Sequence, residues 1–283
     1  MRFVVTAGPT REPIDPVRFL SNRSSGKMGY AIAAAALESG HEVTLISGPV
    51  NLSPPERARF LSVTTSEEMF ASVQRATDDC DVLVMCAAVA DYKPAKFSPR
   101  KLKKENPTRS LELVPTRDIL SAIGRGPRSF LAIGFAAETN DVEENAQKKL
   151  RAKNCDMIIA NDVSHAESGM ESDENEVEIF FRNGERKKIR RAAKKTIARE
   201  LVKIISNMRE NRINMHHCSV AGNFYNRYFF YACITVGKYF MNDLINGSSR
   251  CTFTATDKQM IRSYHHYIAA FNRSFIIYFF VFI

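Results

Sequence analysis

The sequence predicts an α/β protein: a three-layer, Rossmann-like, mostly parallel sheet with helices on both faces, plus a lysine-rich flap. Strand-like apolar segments alternate with helical segments along residues 1–206, and this alternation is typical of a parallel sheet covered on both faces. Several strand-like runs, such as "DVLVMCAAVADY", are also continuously apolar, as expected for strands buried on both sides. We therefore expect ligands at the carboxyl ends of the strands.

The chain opens with the strand "RFVVT" and continues into an alanine-rich helix predicted over Ser25–Ser39. Ser24 or Ser25 would cap its start, and Gly40 would close its end. The free N–H groups of the first helical turn, the helix dipole and Lys27 together favour an anion there. This segment is equally consistent with an ordinary capped helix packed on a sheet.

Two familiar phosphate loops do not fit this segment. A Walker A loop needs a glycine five positions before its Gly-Lys pair and Ser or Thr after it, whereas Ser21 and Met28 occupy those positions. A dinucleotide fingerprint needs an acidic residue at the end of the second strand, but "HEVTLISGP" ends without one. The segment predicts a phosphate site of another kind and disfavours NAD.

The remaining elements continue the alternation. "EVTLIS" and "FLSVTT" are predicted strands, and "SEEMFASVQRATDD" is a helix opened by Ser66. The buried strand "DVLVMCAAVADY", the helix "RDILSAIG", the buried strand "SFLAIGFAAET" and a helix over Asp141–Lys153 follow. "CDMIIAND" is the last parallel strand, and "NEVEIFF" and an amphipathic helix near Ala192–Ser206 complete the domain. The loops expected at the carboxyl edge are "AGPT", "SNRSSGKMG", "AAVADY", "GFAAETN" and "ANDVS".

Two segments depart from the pattern. Residues 93–114 are rich in Pro and Lys without apolar periodicity, and long structureless connections inside compact domains are often functional. We interpret them as a flap able to close over a triphosphate. Residues 207–283 hold more than half of the chain's Phe and Tyr and almost no acidic residue. The final apolar run is too short for a bilayer span, so we interpret the tail as an aberrant extension outside the fold, such as a frameshifted end.

Composition narrows the functional classes. The chain has 40 Lys+Arg against 31 Asp+Glu, a net charge of +9, but no aromatic residues interleave its basic runs as nucleic-acid binding would favour. A polyanionic small ligand fits better; the run Arg186–Lys195 is interpreted as the solvated face of the terminal helix. The six cysteines lack C-x-x-C spacing and no signal peptide opens the chain, which predicts free thiols in the cytoplasm. Cys86 is expected to be a core residue, because no nearby histidine would activate it.

Five motifs together resemble the phosphopantothenate–cysteine ligase (phosphopantothenoylcysteine synthetase) family. They occur in order over about residues 1–206 as "TAGPTREPIDPVRFLSNRSSGKMG", "AAVADY", "RKLKK", "GFAAETN" and "ANDVS". In many bacteria this ligase is fused behind a flavin-dependent decarboxylase. The resemblance covers the ligase alone, so no FMN is expected, and a separate decarboxylase chain is a candidate partner. No nucleic acid or membrane is expected as a partner.

The resemblance implies a two-step ligation in coenzyme A biosynthesis. The carboxylate of 4′-phosphopantothenate attacks the α-phosphate of CTP with Mg²⁺ present, which gives an acyl-cytidylate and pyrophosphate. The amine of L-cysteine then displaces CMP. Bacterial members use CTP and eukaryotic ones mostly ATP; the "RKLKK" flap favours CTP, although physics alone does not decide. Such chemistry needs mainly positioning and charge neutralisation and therefore no catalytic histidine. The two histidines of the matched region, His41 and His165, are accordingly expected to be structural or solvated.

The resemblance also assigns roles to residues. Asn22 would bind phosphopantothenate and the acyl nucleotide and support attack by cysteine, and Lys101 on the flap would stabilise charge in the first transfer, with Lys103 and Lys104 in support. Arg18 would reach the same substrate across a homodimer interface. The substrate-binding set is Arg18, Asn22, Ala87, Ala88 and Asp91. The nucleotide-binding set is Gly8, Ser24, Gly26, Gly29, Met85, Cys86, Ala87, Asp91, Lys101, Arg117, Asp118, Ile119, Leu120, Phe135, Lys149, Lys153 and Asn161.

Some of these residues have simpler interpretations. Asn22 could be a turn residue, Phe135 a core aromatic, and Lys149 and Lys153, four residues apart, a solvated helix face. The family commonly has proline at the position of Arg117. Because proline suits the first position of a helix, Arg117 is expected to alter the loop that opens the next helix. Two other functions are weighed against the ligase: an NAD(P)-dependent oxidoreductase, and a non-catalytic nucleotide-binding module. No metal ligand can be assigned from the sequence.

Overall fold

Eight strands form the central sheet of the computed structural model, which describes residues 1–104, 110–138, 142–162 and 172–212. The strands are β1 (Arg2–Ala7), β4 (Glu42–Ser47), β5 (Arg59–Ser62), β6 (Val82–Met85), β9 (Leu131–Glu138), β10 (Met157–Asp162), β11 (Glu174–Phe181) and β12 (Arg186–Ala193). The sheet order is β12-β11-β10-β9-β6-β1-β4-β5. The six strands from β10 to β5 are parallel, while β11 and β12 extend the sheet antiparallel.

Within the described parts of the chain, two small hairpins and five helices surround this sheet. The hairpins pair β2 (Arg11–Pro13) with β3 (Phe19–Ser21), and β7 (Tyr92–Pro94) with β8 (Leu113–Pro115). The helices are α1 (Lys27–Glu38), α2 (Ser66–Thr77), α3 (Ile119–Gly124) and α4 (Val142–Ala152), together with α5 at residues 194–212. None of the helices within the described residues is long and apolar enough to cross a membrane.

The helices cover both faces, which confirms the predicted three-layer arrangement. Successive strand residues point to opposite faces, so Phe3 and Val5 pack with α1 and α5, whereas Val4 packs with α2 and α4. Fully buried side chains such as Ile32 and Leu201 on one face and Met69 on the other each contribute about 1.5–3 kcal/mol relative to an exposed position.

Strand register brings the carboxyl ends of four parallel strands to one edge. Thr6 pairs with Met85, Met85 with Gly134, and Gly134 with Ile158. These four residues form one row across β1, β6, β9 and β10. Met85 ends β6, whereas β9 and β10 continue four residues further, to Glu138 and Asp162, and the loops after these parallel strands open at the same edge. This edge is where the sequence predicted the ligand site.

Several predicted boundaries differ in the structure. The apolar run "DVLVMCAAVADY" forms a strand only over Val82–Met85. Here the hydroxyl of Thr6 accepts hydrogen bonds from the N–H groups of Cys86 and Ala87, at 3.1 Å each, and thereby turns the chain out of the sheet. The helix near Ser66 is capped by Thr65 in a capping box with Glu68.

The prediction for the start of α1 was wrong. The helix begins at Lys27, and its N-cap is Gly26 in the left-handed conformation without a side-chain cap. Ser24 instead accepts a hydrogen bond from the N–H of Gly26 at 3.3 Å. Gly40 does lie in the left-handed region just beyond the helix, with φ 79°.

The sequence suggested that the basic run Arg186–Lys195 is the solvated face of a helix. This was wrong, because the first eight residues of the run form β12. The helix predicted near Ala192–Ser206 starts at residue 194 and continues through residue 212. Near its end Arg209 donates to the carbonyl of Ser129 at 2.6 Å. The boundary at 206 remains a prediction, and the tail from 213 onward lies outside the described residues, as do Asp141, the ends of "GFAAETN" and "ANDVS", and flap residues 105–109.

Candidate functional site

A cavity of about 380 Å³ opens at the carboxyl edge of the sheet. It lies where the loops after β6, β9 and β10 meet the start of α1. Most of the predicted site residues line it: Ser24, Gly26, Gly29, Met85, Cys86, Ala87, Ala88, Asp91, Arg117, Asp118, Ile119, Leu120, Phe135, Lys153 and Asn161. The structure therefore brings together residues spread over more than 130 positions of the sequence.

The loop after β6 is held by the hydroxyls of three threonines. Thr6 accepts from the N–H groups of Cys86 and Ala87, Thr10 accepts from Ala90 N–H at 3.0 Å, and Thr116 donates to the Ala90 carbonyl. Because the two N–H groups after β6 are already engaged, backbone contacts from Cys86 and Ala87 to a ligand would be made by carbonyl oxygens. Such acceptors suit an amino group on the ligand.

Glycines let α1 approach the sheet closely. A Cβ on Gly29 would lie 2.6 Å from the Cβ of Ala7 and 2.9 Å from the carbonyl oxygen of Thr6. Gly8, which was predicted to contact nucleotide, does not line the cavity. It lies behind Gly26, where a Cβ on Gly26 would stand 3.3 Å from the Gly8 nitrogen. Gly8 thus supports the start of α1.

Asn22 lies in a second cavity of about 500 Å³, formed mainly by the residues around β2 and β3. Ser24 and Lys27 line both cavities, so the two adjoin. The Asn22 side-chain amide donates to the carbonyl of Ala88 at 3.1 Å. This bond attaches Asn22 to the loop that walls the first cavity.

The flap is anchored through Asp15. The buried carboxylate of Asp15 accepts from the backbone N–H of Arg18 at 2.8 Å, from its guanidinium and from Leu102 N–H at 3.1 Å. Arg18 also donates to the carbonyl of Leu102 at 2.6 Å. The hydrogen bond from Arg18 is the main reason that the pKa of Asp15 is held well below its ordinary value. Lys101, next to Leu102, is exposed and does not line the cavity.

The loop before α3 brings charged side chains to the wall of the first cavity. Asp118 caps α3 by accepting from Ser121 N–H at 3.0 Å and pairs with Lys153 at 3.3 Å. Burial raises the pKa of Asp118, but these hydrogen bonds and the Lys153 charge outweigh it and leave the pKa lowered. Arg117, in the usual proline position, lies over the Phe70 ring at 4.3 Å. Of the predicted pair Lys149 and Lys153, only Lys153 lines the cavity.

Cys86 is unsuited to act as a nucleophile, as the sequence predicted. Burial raises the pKa of its thiol to about 12, so the reactive thiolate is negligible near neutral pH. Asn161 also lines the cavity, and its side-chain oxygen is buried and accepts no hydrogen bond from the described residues. A buried polar atom without a partner is costly, and a ligand donor would satisfy it.

Among the cavity residues that sequence reasoning missed, two lie in the part of the chain that follows β10. Lys194 and Asn175 both line the cavity and are buried, with Lys194 only 6% exposed. Lys194 lies in the basic run attributed to a solvated face, so no sequence signal distinguished it from its neighbours. Within the described residues no group of three or more His, Cys, Asp or Glu could hold a metal ion.

Residues 1–208 match a known family, the DNA/pantothenate metabolism flavoprotein C-terminal domain. The chain is 45% identical over 204 residues to the coenzyme A biosynthesis bifunctional protein CoaBC of Bacillus subtilis (strain 168), covering 72% of this chain and 50% of that protein. It is 44% identical over 191 residues to CoaBC of Escherichia coli (strain K12), covering 66% and 47% respectively. The chain thus spans about half the length of these relatives.

Solved structures agree with these matches. The crystal structure of the C-terminal domain of a CoaBC protein superposes with a TM-score of 0.64 at 43% identity, covering 74% of this chain and 96% of that one. A Cab2 mutant in complex with phosphopantothenate-cysteine superposes with a TM-score of 0.65 at 15% identity, covering 76% and 88%. At that identity the second likeness speaks for a shared fold alone.

Proposed function

We propose, because the chain belongs to the family of DNA/pantothenate metabolism flavoprotein C-terminal domains, that it ligates 4′-phosphopantothenate to L-cysteine with CTP as co-substrate. The observation that carries the proposal is the joint lining of one cavity by residues from four of the five motifs that resemble the ligase family. A cavity with backbone carbonyls, several lysines and a protonated thiol suits a reaction that depends on positioning and charge.

In the first step, a carboxylate oxygen of 4′-phosphopantothenate bonds to the α-phosphorus of CTP, and the bond from that phosphorus to the bridging oxygen breaks. Pyrophosphate leaves with the electron pair. Lys153 would approach the nucleotide from the wall, and Lys101 from the flap. Mg²⁺ would be held mainly by phosphate oxygens, since this ion prefers oxygen ligands and keeps several waters, and it would neutralise developing charge.

In the second step, the amine of cysteine attacks the acyl carbon, the amide forms as the amine loses a proton, and CMP leaves. Asn22 would orient the acyl nucleotide from the second cavity, where its amide already bonds to the loop of Ala88. The adjoining cavities would place the nucleotide in the first and the pantothenate arm in the second. Arg18 would contribute from a partner subunit in a homodimer.

The choice of CTP is supported by the acceptors in the first cavity. The amino group of cytosine is a donor that the Asn161 oxygen or the carbonyls after β6 could accept, and uracil lacks it. Adenine also carries an amino group, so ATP is the competitor that must be measured.

The test is a reconstituted reaction. The purified chain is mixed with Mg²⁺, 4′-phosphopantothenate, cysteine and one of CTP, ATP or UTP, and pyrophosphate and the cysteine adduct are quantified. We expect equal amounts of both products, fastest with CTP. Folded protein that binds CTP but releases no pyrophosphate would support a non-catalytic module instead, and binding of NAD(P) in place of CTP would support the oxidoreductase.

A further inference from the structure

Lys194 is a buried cation in the wall of the first cavity. It begins α5 directly after β12, is 6% exposed, and its ammonium donates to the carbonyl of Ser172. Removing an ammonium from water is costly unless the protein or a ligand compensates for it. Burial is the main cause of a lowered pKa at Lys194.

A second cation lies beside it. Lys27 begins α1 and also lines the cavity, and its charge lowers the pKa of Lys194 further. Two ammonium groups that repel each other across a cavity are both stabilised when an anion enters it. Lys27 pairs with Asp173 at 2.6 Å, but that carboxylate is 87% exposed and such pairs are weak in water.

Among the described residues, the other titratable groups that line the cavity are Cys86, Asp91, Arg117, Asp118 and Lys153. The Cys86 thiol is protonated, since burial raises its pKa to about 12. Asp118 is engaged by Lys153 and Ser121, and Asp91 lies on the loop after β6. The start of α1 adds the helix dipole and has no side-chain cap. Gly26 and Gly29, at this start, line the same wall.

We infer that Lys194 and Lys27 form a fixed phosphate-binding subsite in the wall of the first cavity. The subsite rests on the proposed function and adds to it two cations that stay in the wall whatever the position of the flap. Its ligand is a phosphate group, supplied either by the triphosphate of the nucleotide or by the phosphate ester of 4′-phosphopantothenate. The segment Ser172–Asp173 connects the two lysines, since its carbonyl and carboxylate each accept from one ammonium.

Calorimetric titrations of Lys194→Gln, with Lys195→Gln as a matched control, test the subsite. Lys195 is the exposed neighbour of Lys194. The probes are CTP, cytidine, inorganic pyrophosphate and 4′-phosphopantothenate, each with Mg²⁺. We expect Lys194→Gln to weaken CTP and pyrophosphate at least tenfold, about 1.4 kcal/mol, and cytidine less than twofold, with Lys195→Gln unchanged. A selective loss of 4′-phosphopantothenate instead would support the subsite and identify its ester as the occupant.

Equal weakening of CTP and cytidine would overturn the inference, because a purely structural lysine would affect both alike. Unchanged affinity for every phosphate probe would overturn it too. Lys27→Gln provides a second variant at a more exposed position and must show the same selectivity. If the wild-type chain binds pyrophosphate but not CTP, the proposed nucleotide fails while the pyrophosphate arm still decides the subsite.

Discussion

Replacing Gly29 by alanine tests whether the close approach of α1 to β1 builds the phosphate site. The added Cβ would lie 2.6 Å from the Ala7 Cβ, 2.9 Å from the Thr6 carbonyl oxygen and 3.1 Å from the Ala7 Cα. Carbon atoms in contact normally stand about 3.5–4.0 Å apart, so helix and strand must separate by about 1 Å. All three contacts are to atoms of β1, two of them backbone and the third the Cβ of an alanine, and none of them can rotate away.

Two opposing terms set the expected loss of stability. Overpacking of a tight contact costs roughly 1–3 kcal/mol, while alanine gains about 1 kcal/mol over glycine within a helix. We therefore expect the free energy of unfolding in urea to fall by up to about 2 kcal/mol. The displacement also moves Gly26 and Lys27, so pyrophosphate release should fall on the order of a hundredfold, as for other displacements of about 1 Å.

Ala34→Gly is the matched control, because it costs about 1 kcal/mol of helix propensity in the same helix without altering the cavity lining. It should leave pyrophosphate release within about twofold of wild type, because Ala34 does not line the cavity. Wild-type stability and turnover in Gly29→Ala would refute the reasoning. So would an equal loss of turnover in both variants, since activity would then follow stability alone.

Four further outcomes are expected. Lys101→Gln should slow pyrophosphate release while leaving CTP affinity within a few-fold, and an unchanged rate would contradict the flap role. Asn22→Asp should let acyl-cytidylate accumulate over product in quenched reactions, whereas a normal product ratio would remove Asn22 from the second step. Asp15→Asn should speed tryptic cleavage at residues 100–104 and slow pyrophosphate release at every pH from 5 to 9; protection equal to wild type would argue against the anchor. Truncation after residue 212 should preserve the thermal midpoint, and truncation after 206 should lower it by removing Arg209; equal midpoints would show that this last turn of α5 is dispensable.

The sequence was sufficient to predict the layers and the edge that carries the site. Buried parallel strands have long apolar runs, and their carboxyl ends must lie together once the sheet forms. Met85, Phe135 and Asn161 could therefore be placed at one edge of the sheet from the sequence alone. Boundaries were harder, because the end of β6 depends on a hydroxyl 80 positions away: Thr6 takes the N–H groups of Cys86 and Ala87. No local pattern records that contact.

Strand β12 shows the other limit of reading the sequence. Its residues "RKKIRRAA" favour helix by propensity and bury only Ile189 among side chains, so neither apolar alternation nor composition indicated a strand. Pairing with β11 overrides these local preferences. The same misreading hid Lys194, because the burial of a lysine between β12 and α5 depends on tertiary contacts that no local pattern records.

The distribution of lysines also bears on how the two steps could be separated. Lys27 and Lys194 lie in walls fixed by α1 and α5, whereas Lys101 lies on a segment held through Leu102 by Asp15 and Arg18. Cations in a rigid wall bind ground state and transition state alike and so favour affinity, whereas a lysine brought in by the flap can act more strongly as charge develops on pyrophosphate. In the proposed reaction the second step would release CMP and no pyrophosphate. Lys101 should therefore matter for the first step only, and Asn22, on the other side of the shared wall, for the second.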